Sequence, residues 1–343
     1  LQAKLYDSVR SNVESFNAQG ISNSLLALDQ MGLRWSNFDA GLQAKILDSA
    51  RRNVERFNAQ EISNSLLALD QMGLRWSNFD ADLQAELLDS VRRNVESFNA
   101  QNISNSLLAL DQMGLRWSNF DDGLQAKFLD SVRRNVESFN AQSISNSLLA
   151  LVRLCEGSNI ILDLLINQIK EKDSYLPIEA NQILLALTWI KAYQGKAFID
   201  LEGRFEPVNK ITDSQLHQDV IRIINKCNIA VEKEKRMGVK GVISVDCYIP
   251  SKNLVIEVHG PSHYSLDGSL NVRSEKQSEL IEKLGFKYQL VSYKDWDELK
   301  DDDAKKVFIK NLMPSQLNVK ASVFRPSSNL NPNASVFKPI YRG

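Results

Sequence analysis

The chain has 343 residues, 43% of them apolar and 24% charged, with a formal charge of −1; that length suits two or three globular domains. The balance excludes a global basic coat as the means of holding a nucleic acid and leaves local patches or base contacts. No apolar run approaches 18 residues, which excludes a membrane span. The three cysteines, Cys155, Cys227 and Cys247, lack the pairing of a disulfide framework or zinc site and fit a reducing intracellular compartment, cytoplasm or organellar matrix.

The first residues, Leu1 to Phe16, match the second half of a repeat, so the chain reads as cut within a longer array. LQAK or LQAE begins at Leu1, Leu42, Leu83 and Leu124. A fixed period of 41 predicts an α-solenoid of helix-turn-helix repeats, assigned here to residues 1–205. The first helix of a unit is expected over Ala59 to Met72, with Asn58 as N-cap and Gly73 after its last turn. The second is expected over Asp82 to Ser97, where Leu83, Leu87, Leu88, Val91 and Val95 have helical spacing. A degenerate fifth unit is visible in YLPIEANQILLALTWI, with Pro177 at the first helical position.

Within the phrase FNAQxISNSLLAL one position never repeats: Gly20, Glu61, Asn102, Ser143. A helical wheel places it above Asn64, Ala68 and Gln71 on one polar strip. The same geometry pairs Gly20 with Asn23, Asn102 with Asn105, Ser143 with Asn146, and Glu179 with Gln182. Two readings stand. In one, each pair reads a base of a single-stranded RNA from the inner wall of the solenoid, since helices ~8–10 Å apart cannot match stacked bases. In the other, the varying residue sits three after the N-cap and serves the helix end. Paired arginines (Arg51 and Arg52, Arg92 and Arg93, Arg133 and Arg134) read either as a phosphate stripe or as partners of nearby acids such as Asp89 and Glu96. Asp29, Asp70 and Asp111 face the negative end of their helix, an unfavourable place that an arginine of the next unit would relieve.

From 206 to 313 the pattern becomes a small α/β module. A helix is expected over Asp213 to Cys227, strands in GVISVDCYIP and NLVIEVHG, a helix over Ser274 to Gly285, and a strand over Phe286 to Tyr293. Asp246 ends one strand, Glu257 and His259 share a face of the next, and His263 follows Pro261. Two carboxylates and two imidazoles together suit a hard divalent cation that activates water. His217 lies on a helix face, where a histidine is usually structural. Residues 314–343 carry Lys320, Arg325, Lys338 and Arg342 without an acid. They read as a flexible basic tail, or as a phosphate tether or short motif for a protein partner.

VDCYIPSKNLVIEVHGPSHY, followed by Lys276, Leu280, Gly285 and VSYKDW, resembles a RAP domain, and FNAQxISNSLLALDQMGL resembles octotricopeptide and related helical repeats. The resemblance implies an RNA-binding protein acting in RNA stabilisation, cleavage or maturation. It also implies a restriction-endonuclease-like fold akin to PD-(D/E)xK nucleases. Carried over, Asp246 and Glu257 match the metal-binding carboxylates, with Mg²⁺ or Mn²⁺ the implied ion. His259 stands at the usual lysine position, His263 matches the histidine after Gly-Pro, and Lys276 supplies a positive charge from the helix. Beside sequence-selective RNA binding stand two alternatives: a metal-dependent endoribonuclease guided by the repeats, and a solenoid scaffold for protein partners.

Overall fold

The computed structural model describes residues 2–155, 161–208, 214–265 and 267–313; the expectations for the segment 314–343 lie outside the described residues. Eight helices lead the chain: α1 Gln2–Asn12, α2 Ala18–Gln30, α3 Ala40–Asn53, α4 Ala59–Gln71, α5 Ala81–Asn94, α6 Ala100–Gln112, α7 Asp122–Asn135 and α8 Ala141–Leu154. The repeated caps explain their register. Asn17, Asn58, Asn99 and Asn140 each accept a backbone N–H from the third residue after them. Asp39, Asp80 and Asp121 do the same for the second helix of a unit. Gly32, Gly73 and Gly114 leave the first helices at φ +74°, +97° and +96°, a conformation that costs a residue with Cβ. Each second helix tightens into a 3-10 turn, as at Val95–Ser97.

The first helices form one layer, α2 on α4 on α6 on α8. Ser22, Ser63, Ser104 and Ser145 are at most 2% exposed, and their small side chains let neighbouring helices come close. Second helices lean on the preceding unit's 3-10 turn. Specific hydrogen bonds then set the stacking register. Asn53, Asn94 and Asn135 Nδ2 donate to the carbonyls of Phe16, Phe57 and Phe98 one unit earlier, at 2.9, 2.8 and 3.1 Å. Arg52, Arg93 and Arg134 donate to Glu14, Val54 and Glu96 carbonyls of the earlier unit. Arg10, Arg51 and Arg92 reach forward to the N-cap aspartates Asp39, Asp80 and Asp121. Both members of the pairs Arg51–Arg52 and Arg92–Arg93, and Arg134 of the third, thus act in stacking, which corrects the phosphate-stripe reading at those residues.

Helix α9, Ile161–Glu171, packs against α7 and α8; the repeat pattern fades before it and the sequence reading did not assign it. Helix α10, Pro177–Gln194, is the degenerate first helix on α8, followed by the short α11, Ile199–Glu202.

The C-terminal part is a four-stranded mixed sheet with helices. After α12 (Gln215–Lys226) come β1 (Glu232–Met237), β2 (Ile243–Ile249), β3 (Leu254–His259), α13 (Val272–Lys283), β4 (Lys287–Ser292), α14 (Tyr293–Asp297) and α15 (Asp302–Asn311). The strand order is β1-β2-β3-β4. The first two pairings are antiparallel, and β3–β4 is parallel with α13 as crossover. Strand β1 reads EKEKRM; its charges hid it from the sequence reading and suit an exposed sheet edge. One side of the sheet packs on α12 and α15 through Ile224, Ile256, Val258 and Ile309. Val255, Leu280 and Ile281 join the same apolar cluster as the repeats, so the module docks on the solenoid through continuous core.

Candidate nucleic-acid interface

The docked parts enclose a groove of ≈ 920 Å³ between the first-helix layer, α10, α13 and the β1–β2 region. Its size falls within the range of ligand sites. Cations line it from both parts: Arg75 and Arg153 from the solenoid, Arg236, Arg273 and Lys276 from the module; Asp70 is the one carboxylate among the lining residues. Arg236 and Arg273 form no ion pair among the described residues. Gln112, Asn181, Gln182 and Gln277 supply amides.

The cationic charge has a buried anchor. Asp111 is fully enclosed, Arg153 Nη1 lies 3.3 Å from it, and Lys276 Nζ bonds its other oxygen. Burial pulls the Lys276 ammonium down to about 8 despite Asp111. Arg153 stands where the earlier units have glutamine, so the expected relief of an aspartate by the next unit's arginine is realised at Asp111. Burial, then the neighbouring Asp111, raises the Asp70 carboxyl well above the ordinary range.

Lys276 is therefore committed to Asp111 and is not brought to Asp246 and Glu257, which corrects its assignment to a catalytic cluster. The other members do meet. Asp246 Oδ2 accepts the Val258 N–H at 2.7 Å, opening the β2–β3 ladder beside Glu257. His217 Nε2 lies 3.2 Å from the Asp246 carbonyl, a structural contact. Glu257 is 4% exposed. Its carboxyl is pushed well above the ordinary range, first by burial, then by the charge of Asp246 and a hydrogen bond to it. His259 and His263 stack at 4.3 Å between ring centroids. His263 Nδ1 lies 3.0 Å from Ser274 Oγ, and His259 Nε2 lies 3.3 Å from the Tyr288 hydroxyl. Burial and the neighbouring His263 bring His259 down to about 4, so both rings stack as neutral aromatics at pH 7.

A divalent ion is implied by the nuclease-like resemblance, and the arrangement tests it. Asp246 is engaged by a backbone amide, and the Glu257 carboxyl, shifted well above the ordinary range, hydrogen-bonds to Asp246. Among the described residues no group of three His, Cys, Asp or Glu side chains is placed to hold a metal ion. The residues as arranged do not form a metal centre, and no catalytic step is derived from them.

The varying position of the repeat lies at the seam between units. Asn102 Nδ2 donates to Ser63 Oγ of the preceding unit at 3.0 Å, and its Oδ1 accepts the Asn99 N–H at 3.3 Å. Ser143 approaches Ser104 Oγ at 3.5 Å. Ser22 donates to the Glu61 carbonyl at 3.0 Å, while Glu61 and Glu179 carboxylates accept the Asn58 and Leu176 N–H groups at 2.9 and 2.7 Å. A Cβ on Gly20 would lie 3.1 Å from Asn17 Oδ1. Gln182 bonds Asn146 Oδ1 at 2.9 Å. The expectation that this letter faces a ligand is corrected at Asn102, Ser143 and Glu179, which close helix packing turns, with the fully buried Ala68, into the seam; Gly20 and Glu61 stay half-buried, the Glu61 carboxylate serving its helix end. The strip left accessible is rotated by one residue, Gln60, Asn64, Leu67 and Gln71, with Asn23 and Asn105 at the place of Asn64. Only packing distances could have set that rotation.

Residues 256–312 match the RAP domain. Segments 1–25, 31–66, 72–107 and 113–148 match the family described as a protein of unknown function, DUF1601. The chain is a helical-repeat protein with a C-terminal RAP domain. The last three repeat segments start at Met31, Met72 and Met113, in step with the 41-residue units. The RAP match begins inside β3, and the sheet register joins β1 and β2 to it. No curated protein matches the chain.

Proposed function

We propose that this protein binds single-stranded RNA in the groove between its first-helix layer and its RAP domain, in the service of RNA stabilisation or processing. The observation that carries this reading is the charge of the groove. Five cationic side chains face one carboxylate there, and two of them, Arg236 and Arg273, form no ion pair among the described residues. The RAP domain favours RNA over other polyanions. The amides of Asn23, Asn64 and Asn105, one per unit and at least partly exposed on the first helices, offer hydrogen bonds to base edges. Repeat helices ~8–10 Å apart favour an unstacked strand over a duplex.

The test uses the full chain with a fluorescent single-stranded RNA, the same sequence as duplex, and a salt titration. Arg236→Glu with Arg273→Glu is expected to weaken single-strand binding by at least tenfold and to flatten its salt dependence. Equal binding by wild type and variant, or no RNA binding by wild type, overturns the proposal.

A further inference from the structure

One arginine recurs in the loop after three of the first helices, α2, α4 and α6: Arg34, Arg75 and Arg116, each ahead of a Trp-Ser-Asn turn. Arg75 lines the groove. It grips Glu275 with both terminal nitrogens, Nη1 3.2 Å from Oε1 and Nη2 2.7 Å from Oε2. Arg116 grips Glu279 in the same manner, Nη1 3.5 Å from Oε1 with Nη2 on Oε2. Such two-point geometry is what a guanidinium offers alike to a carboxylate or a phosphate. Glu275 and Glu279 are one turn apart on α13, ~5–6 Å between Cβ atoms, and they meet arginines of consecutive units. At Arg34, Nη1 donates to the Gln71 carbonyl, and no ion pair to a carboxylate forms among the described residues.

Burial separates these contacts from the anchor of the interface. The side chains of Glu275 and Glu279 are 44% and 24% exposed, whereas those of Lys276 and Asp111 are 4% and 0% exposed. Docking is anchored by the enclosed pair and the shared core; the glutamates sit at the rim, where ions exchange with solvent and single pairs contribute little.

We infer that Arg34, Arg75 and Arg116 form a row of phosphodiester contacts, one guanidinium per unit, and that Glu275 and Glu279 occupy two of its three places as stand-ins for phosphate. The inference rests on the RNA-binding reading above. In the RNA-free protein α13 holds the row closed, and an incoming strand must displace two carboxylates that repel it.

The experiment compares full-length wild type with Glu275→Gln plus Glu279→Gln, measuring anisotropy of a labelled single-stranded RNA across salt concentrations. The expected result is affinity about tenfold higher at low salt. The slope of log affinity against log salt is also expected to steepen by about 1.4, for two added phosphate contacts at ~0.7 each. In the background of Arg75→Gln plus Arg116→Gln, the glutamate changes are expected to be silent. Unchanged or lower affinity with an unchanged slope overturns the inference, since the glutamates then serve docking alone. If neither wild type nor variant binds RNA, the RNA-binding reading fails and the inference falls with it. Circular dichroism of each variant checks that the fold is retained.

Discussion

Glu257 shows how far a residue's neighbours can depart from what its letter implies. In the sequence it is one of two carboxylates suited to a metal; in the fold it is enclosed and bonded to Asp246. Its folded-state affinity for a proton exceeds that of the unfolded chain. Ionisation therefore opposes folding: the cost is absent below the unfolded value of about 4.5, grows as pH rises above it, and is complete past the raised folded value. Glu257→Gln keeps the shape and a donor toward Asp246. Its melting temperature is expected to exceed wild type at pH 8, with the gap closing as the buffer is taken down to pH 4.5. A gap that stays constant over that range would show that Glu257 is ionised in the fold. A rise in the wild-type melting temperature with added Mn²⁺ at pH 8, lost in the variant, is the outcome a metal-dependent nuclease requires.

At the scale of the helix, the contacts between units divide into strong and weak kinds. Asn94 Nδ2 serves two carbonyls, Phe57 at 2.8 Å and Ser90 at 2.9 Å. Removing it strands polar groups at a covered seam, at about 1–3 kcal/mol. Arg92 pairs with Asp89 and Asp121 on an open surface, where an ion pair contributes ~0–1 kcal/mol. Urea unfolding is expected to rank Asn94→Ala as clearly more destabilising than Arg92→Ala; the reverse order would show that the charge ladder, rather than the amide clip, holds the units in register. The ends of the first helices were legible beforehand because Asn58 and Gly73 act within a turn of their own position. Strand β1 was not, because an edge strand with Lys233, Lys235 and Arg236 carries no apolar alternation.

For the molecule as a whole, the enclosed trio Asp111, Arg153 and Lys276 ties the RAP domain to the third and fourth repeat units. Lys276→Met removes one partner from a buried pair, a change that costs about 3–5 kcal/mol where no other partner compensates; Arg153 remains, which points to the lower end. Hydrogen exchange in α13 and α6 is expected to quicken by roughly a hundredfold, the equivalent of about 3 kcal/mol. Unchanged exchange in both helices would mean that the apolar cluster alone holds the domains together.

The sequence by itself determined the solenoid, its 41-residue unit, the helix caps and the RAP-type module, because each is written in residues a few positions apart or in a repeat of fixed length. Tertiary structure alone decided which face of each first helix meets its neighbour, and so took Asn102 and Ser143 away from any ligand. It also sent Lys276 to Asp111 across 165 residues and shaped the cationic groove. Those outcomes depend on how closely helices approach and on where a distant domain docks, and no spacing within the chain encodes either distance.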